Sequence, residues 1–195
     1  MSPSDEPSSE HPSRRPSGGG APGKRPRGKS GPGSDKITVV RRESAGSIAW
    51  EIVQPRCARR RREDIEEVEA MIAAGEPEIA REELVWLLSE CPDFLEAHVQ
   101  LGLIALEDGD AKLARGHFGR AYELCLRALE AAGNPPPKPM PHAIPGNQPF
   151  FEAAKGLVHC LMETGRQKTA IDICRRIAPL DPADPLGIQK LAARS

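Results

Sequence analysis

Four histidines in the second half of the chain, His98, His117, His142 and His159, and five cysteines have side chains that can do more than pack. Zinc-dependent hydrolysis sets two histidines one helical turn apart around a glutamate, H-E-x-x-H, so that both rings reach one ion. None of the four stands in that pattern, and no cysteine pair has the C-x-x-C spacing of a zinc site or a redox pair. No G-x-S-x-G nucleophile turn, phosphate loop or dinucleotide fingerprint is identified. Asp and Glu are plentiful, but they fall along helices as solvated faces do. The expectation is a chain that is not an enzyme and holds no metal and no cofactor.

The cysteines point the same way. Cys91 and Cys125 stand 34 residues apart at equivalent places in a repeating pattern, and Cys125, Cys160 and Cys174 fall on or beside apolar helix faces. They read as small core residues with free thiols in a reducing compartment. Cys57 sits among arginines, where a thiol's pKa can fall, or is simply exposed.

If no side chain carries chemistry, function rests on the elements themselves. Residues 95–126, LEAHVQLGLIALEDGDAKLARGHFGRAYELCL, read as two helices joined by a tight turn. Leu101, Ile104 and Ala105 share one face of the first, since residues three and four apart are neighbours. Ala114, Phe118, Ala121 and Cys125 recur at spacings of four, three and four in the second. Gly109 supplies the left-handed residue that ends the first helix. Gly102 and Ala114 are expected where the helices approach closely.

Leu101-Gly102, Ala114, Phe118 and Ala121 resemble the signature of the tetratricopeptide-repeat (TPR) family, whose period is about 34 residues. One period upstream, Gly75, Ala80, Leu84, Leu87 and Pro92 take the places of Gly109, Ala114, Phe118, Ala121 and Leu126. Glu67-Val68 replaces the Leu-Gly pair there. A third copy carries Leu157, Leu161, Gly165, Ala170, Cys174 and Pro182 after an insertion. The resemblance implies an all-α fold: a short TPR-like α-solenoid of helical hairpins with a C-terminal capping helix, preceded by a disordered basic tail. Repeats are expected near 61–94, 95–128 and 151–184, with a Pro-rich insertion at 134–149 and a capping helix at 185–194, all within a repeat domain at 61–195.

Ahead of the repeats, residues 1–35 are rich in Ser, Pro, Gly and Arg and hold too little apolar surface to offset chain entropy. Residues 36–60 hold a short extended or hairpin segment and a basic linker. Ile37, Val39 and Val40 read as one strand, ESAGS as a turn and residues 48–53 as a second strand. A lone hairpin is marginal in water, so this one is expected to order on contact, with Trp50 as anchor. Charge is divided: up to Arg62 there are 14 Lys+Arg against 6 Asp+Glu, and beyond it 13 against 22. The run Arg56, Arg59, Arg60, Arg61 and Arg62 is a candidate basic patch, with some of its arginines expected outside the first helix. Pro136 and Pro139 form a PxxP. No apolar run reaches the roughly 18 residues of a membrane span, and no secretory signal opens the chain.

In a stack of helical hairpins the first helix of each pair lines the inner surface. The inward residues expected there are Ile65, Glu69 and Ile72, then Val99, Leu103 and Leu106, then Lys155, His159 and Met162, a groove apolar in its middle and acidic at one end through Glu69 and Glu96. The leading expectation is a cytoplasmic adaptor or scaffold that binds a protein or peptide partner in this groove, with self-association left open. The alternative is a nucleic-acid-associated protein that uses its basic N-terminal half, with the repeats mediating assembly. A third arrangement folds the basic arm onto the acidic repeats of its own or a neighbouring copy.

Overall fold

The structure, a computed structural model, describes residues 34–44 and 46–192. The tail expected at 1–35 lies outside the described residues except at its last two positions. A hairpin of β1 (Thr38–Ser44) and β2 (Ser47–Val53) comes first. There follow α1 (Arg56–Arg60), α2 (Arg62–Ala73), α3 (Pro77–Glu90), α4 (Leu95–Glu107) and α5 (Ala111–Ala132). A 3-10 turn over Pro145–Asn147 leads into α6 (Gln148–Glu163), α7 (Gln167–Ile177) and α8 (Ile188–Ala192). Three antiparallel helical pairs result, α2–α3, α4–α5 and α6–α7, packed side by side as a solenoid.

The three pairs turn by one device. Gly75, Gly109 and Gly165 have φ of 81, 78 and 71°, a region costly for residues with a Cβ. At each, the glycine N–H donates to the carbonyl three residues back, and the next N–H donates five residues back: Glu76 to Met71, Asp110 to Ala105, Arg166 to Leu161. This Schellman arrangement satisfies the carbonyls that a helix end leaves open. Pro77 then opens α3, where a missing N–H costs nothing, and Asp110 caps α5 by accepting from the Leu113 N–H at 2.9 Å.

The core forms two apolar clusters. One joins Val68, Leu84, Leu87, Phe94 and Ala97 across α2, α3 and α4. The larger gathers Phe118, Leu129, Phe150, Val158 and Ile188 with Ile52 of the hairpin and Met140 of the Pro-rich segment. Fully burying one such side chain contributes roughly 1.5–3 kcal/mol.

Several boundaries differ from expectation. The turn is shorter than the ESAGS stretch expected, because Ser44 and Ser47, both within that stretch, are paired across the strands. The third pair begins at Gln148 rather than 151, since Pro149 suits a helix start. The capping helix starts later than expected, at Ile188, and is described over Ile188–Ala192; the Asp184 carboxylate accepts from the N–H groups of Ile188 and Gln189 at its start. The hairpin is docked, and Ile52, only 1 % exposed, is its anchor; Trp50 is half-buried. The Pro-rich segment is an ordered strap. Pro139 accepts from the Trp50 N–H at 2.9 Å, and the Met140 N–H donates to Leu180 at 2.8 Å.

Candidate functional site

Three first helices and the hairpin enclose a cavity of about 550 Å³. It lies at the N-terminal ends of α4 and α6, where β2, Gln54 and the Pro145–Asn147 turn close one side. Asn147 builds this wall. It is fully buried, accepts from the Ile52 N–H at 2.9 Å, and donates to the carbonyls of Trp50 at 2.9 Å and Pro141 at 3.0 Å. Gln54 fixes the corner by accepting from the Leu95 N–H at 3.0 Å and donating to Glu96. Ile52, Ile65, Phe94 and Val99 give the cavity an apolar floor.

Its rim is acidic. Glu51, Glu66, Glu69, Glu96 and Glu152 line it beside Arg42, Arg59 and Arg62. Arg42 pairs with Glu51 at 2.5 Å and Arg62 with Glu66 at 3.1 Å. The remaining carboxylates have weaker company. Glu69 accepts from the Gln100 amide at 3.4 Å, and Glu96 from Gln54. Burial pushes the pKa of Glu96 above the usual carboxylate value, and the Glu152 charge adds to it. Loss of surrounding water does the same to Glu152, with Glu69 contributing and with His142 and Lys155 opposing. The cavity therefore concentrates negative charge and disfavours anions such as nucleic-acid phosphates.

The nine residues expected on the inner face fall into two groups. Ile65, Glu69 and Val99 line this cavity. Ile72, Leu106 and Met162 are partly buried and pack onto the core clusters. Leu103 is 43 % exposed, Lys155 is exposed, and His159 pairs with Glu163 one turn along α6 at 3.2 Å. Apart from Lys155 near the middle of α6, the second group sits in the C-terminal halves of the first helices. Glu96, expected at the groove's acidic end, lines the cavity as well, whereas Gln54 and Glu152 were missed. Helix periodicity places inward positions, but it does not say which end of a groove a distant hairpin will cover.

The basic run is folded into helices. Arg56, Arg59 and Arg60 belong to α1, with Arg59 and Arg60 in its last turn, where the helix dipole favours cations. Arg61 marks the break before α2; its guanidinium lies 4.4 Å from the Trp86 ring centroid and bonds Asp64 at 3.0 Å. Glu63 and Asp64 then occupy the first turn of α2. Arg56 and Arg60 are exposed, and among the described residues neither is ion-paired.

The cysteine reading needs one correction. Cys57 and Cys91 form a disulfide that ties α1 to the residue ending α3. Their sequence separation hid them, because only the α1 fold-back brings them together. Cys125, Cys160 and Cys174 are free and buried, and burial pushes all three thiols up. The expected absence of a phosphate-loop pattern also needs correction, because the sequence holds the letters G-x-x-x-x-G-K-S at Gly23–Ser30. A phosphate loop joins a strand to the helix that follows. Here Gly-Pro-Gly follows, and the next described element is strand β1; the motif itself lies outside the described residues.

Comparison with known proteins gives a family match. Residues 62–191, two thirds of the chain, match the family model Tcf25, described as "Transcriptional repressor TCF25". No TPR model matches, so the resemblance to that family is corrected. The helical hairpins that carried it are present. The signature positions, a Leu-Gly contact and small residues at helix crossings, report what packing such hairpins requires, and this is not specific to one family. No curated protein and no solved structure matches the chain.

Proposed function

The chain belongs to the Tcf25 family, and from that membership we propose that it takes part in repressing transcription, as a non-catalytic protein that contacts nucleic acid through its basic N-terminal half. The helical repeats then serve assembly. The proposed place of action follows: where transcription occurs, in the nucleus of a cell that has one, rather than the cytoplasm. Among the described residues no helix is long and apolar enough to cross a membrane.

The observation that carries the nucleic-acid contact is the division of charge. Up to Arg62 Lys and Arg outnumber Asp and Glu by 14 to 6, whereas the repeats are acidic. Arg56 and Arg60 stand exposed on α1, where the basic half joins the repeats. Such a surface attracts phosphates through release of their counterions, and its affinity falls steeply with salt. No aromatic residue interrupts the basic stretches before Asp35, so contacts to the phosphate backbone, without base stacking, are expected.

Fluorescence anisotropy of a labelled duplex with the full chain, over a series of salt concentrations, tests this. Binding that weakens steeply with salt, with a shallower slope in Arg56→Gln/Arg60→Gln, supports the reading. Salt-independent binding, or none at low salt, defeats it.

A further inference from the structure

The acidic cavity is hostile to nucleic acid and needs a different occupant. Three of its carboxylates, Glu69, Glu96 and Glu152, come from three separate helices, α2, α4 and α6, and converge on one apolar-floored space. Arg42 and Arg62 engage Glu51 and Glu66. Glu69 and Glu96 have side-chain amides as partners, and Glu152 is hydrogen-bonded to none of the described residues. A volume of about 550 Å³ lies in the range of ligand-sized sites, roughly 300–1,000 Å³. It suits a few long side chains whose apolar stems lie on Ile65, Phe94 and Val99 while their cations meet the rim.

The sequence supplies such side chains close by. Residues 24–29 read KRPRGK, with cations at Lys24, Arg25, Arg27 and Lys29. The described chain begins at Ser34, whose carbonyl accepts from the Arg56 N–H at 3.1 Å, at the start of α1. Ala58, Arg59 and Arg62, the next residues along, line the cavity. Residues 24–29 are thus five to ten positions from an anchor at the cavity's edge. An extended chain covers up to about 3.3–3.6 Å per residue, so that tether spans about 17 to 35 Å. A tether this short holds the segment at millimolar effective concentration, and weak charge pairing then suffices for substantial occupancy.

We propose that this acid-lined cavity is the docking site for the chain's own Lys/Arg-rich segment at residues 24–29. Docked, those cations are withheld from phosphates; released, they are available to them. The competition rests on the nucleic-acid reading above, whereas the docking does not.

Zero-length carbodiimide crosslinking of the full chain tests it, because the reagent joins a lysine amine to a carboxylate only where the two meet. The expected products are amides from Lys24 or Lys29 to Glu69, Glu96 or Glu152, formed within one chain in a mixture of isotope-labelled and unlabelled protein. Their yield should collapse near 1 M salt, where the screening length is about 3 Å. In Arg25→Ser/Arg27→Ser, which keeps both lysines and alters no described residue, the yield should fall several-fold. In Glu69→Lys/Glu152→Lys, checked for unchanged helicity, the yield at Glu96 should fall about tenfold. Products absent, formed only between chains, or spread equally to Glu107 and Glu163 overturn the proposal. A duplex that lowers the yield supports the competition. One that leaves it unchanged removes the competition and leaves the docking standing.

Discussion

The side-chain amide of Asn147 donates to the carbonyl of Trp50 at 2.9 Å, across 97 residues of sequence. With its bonds to Ile52 and Pro141, this one residue joins the N-terminal hairpin to the strap that enters α6. All three of these partners are backbone groups, so Asn147→Ala would strip them together. Each buried group left unpaired costs about 1–3 kcal/mol. The variant should lose about 3 kcal/mol or more of stability. Amide hydrogen exchange should show β1 and β2 exchanging first, while α4 and α5 stay protected. Unchanged exchange in the hairpin would mean that Asn147 does not hold it.

Phe118 lies between two glycines on neighbouring first helices. A Cβ built on Gly102 would come within 2.7 Å of its ring, and one on Gly156 within 2.6 Å. The ring is fully buried, and moving away from one glycine drives it into the other. Gly156→Ala should therefore destabilise by about 1–3 kcal/mol, although alanine favours a helix by about 1 kcal/mol over glycine. Phe118→Leu added to Gly156→Ala should recover part of that loss in a thermal-unfolding cycle. Additive effects would place the ring elsewhere.

His98 is buried on α4, and its Nε2–H donates to the Pro92 carbonyl at 3.1 Å. Its Nδ1 then accepts from His117 Nδ1 at 3.3 Å. Burial lowers the pKa of both rings below the ordinary imidazole value, and His117 lowers His98 further. A depressed folded pKa gives stability that is present above the unfolded value, about 6.5, and is lost as pH falls through the folded one. Thermal unfolding midpoints should thus drop between neutral pH and about pH 5, and less so in His117→Gln. An identical profile in that variant would show that the pair does not titrate as described.

Cys57 and Cys91 close a span of 34 residues. Loop-closure entropy assigns a crosslink of that length about 3–5 kcal/mol relative to the reduced chain. Denaturant unfolding with and without reductant should differ by that order, with Cys57→Ser/Cys91→Ser matching the reduced protein. Equal midpoints would mean the two thiols are unbonded in solution. That is the state a reducing nucleus would favour.

The helical pairs were legible because their signals are local. A glycine after each first helix and apolar residues at spacings of three and four are fixed by the geometry of one hairpin. The cavity was legible only in part. Ile65, Glu69, Glu96 and Val99 follow from helix phase, but Gln54 and Glu152 join them because the hairpin docks on Asn147, a contact spanning 95 residues. The disulfide was hidden for the same reason. Family membership was misread because Leu101-Gly102 and Phe118 record the needs of packing two helices closely.

The central claim is that the basic half contacts nucleic acid in the course of repression, and a transcript count tests it most directly. The purified chain, residues 1–195, is added to a transcription extract from its own source. The wild type should lower transcript output, and Arg25→Ser/Arg27→Ser/Arg56→Gln/Arg60→Gln should restore most of it while keeping its helical fold. Equal repression by the two proteins, or none by either, would contradict the account.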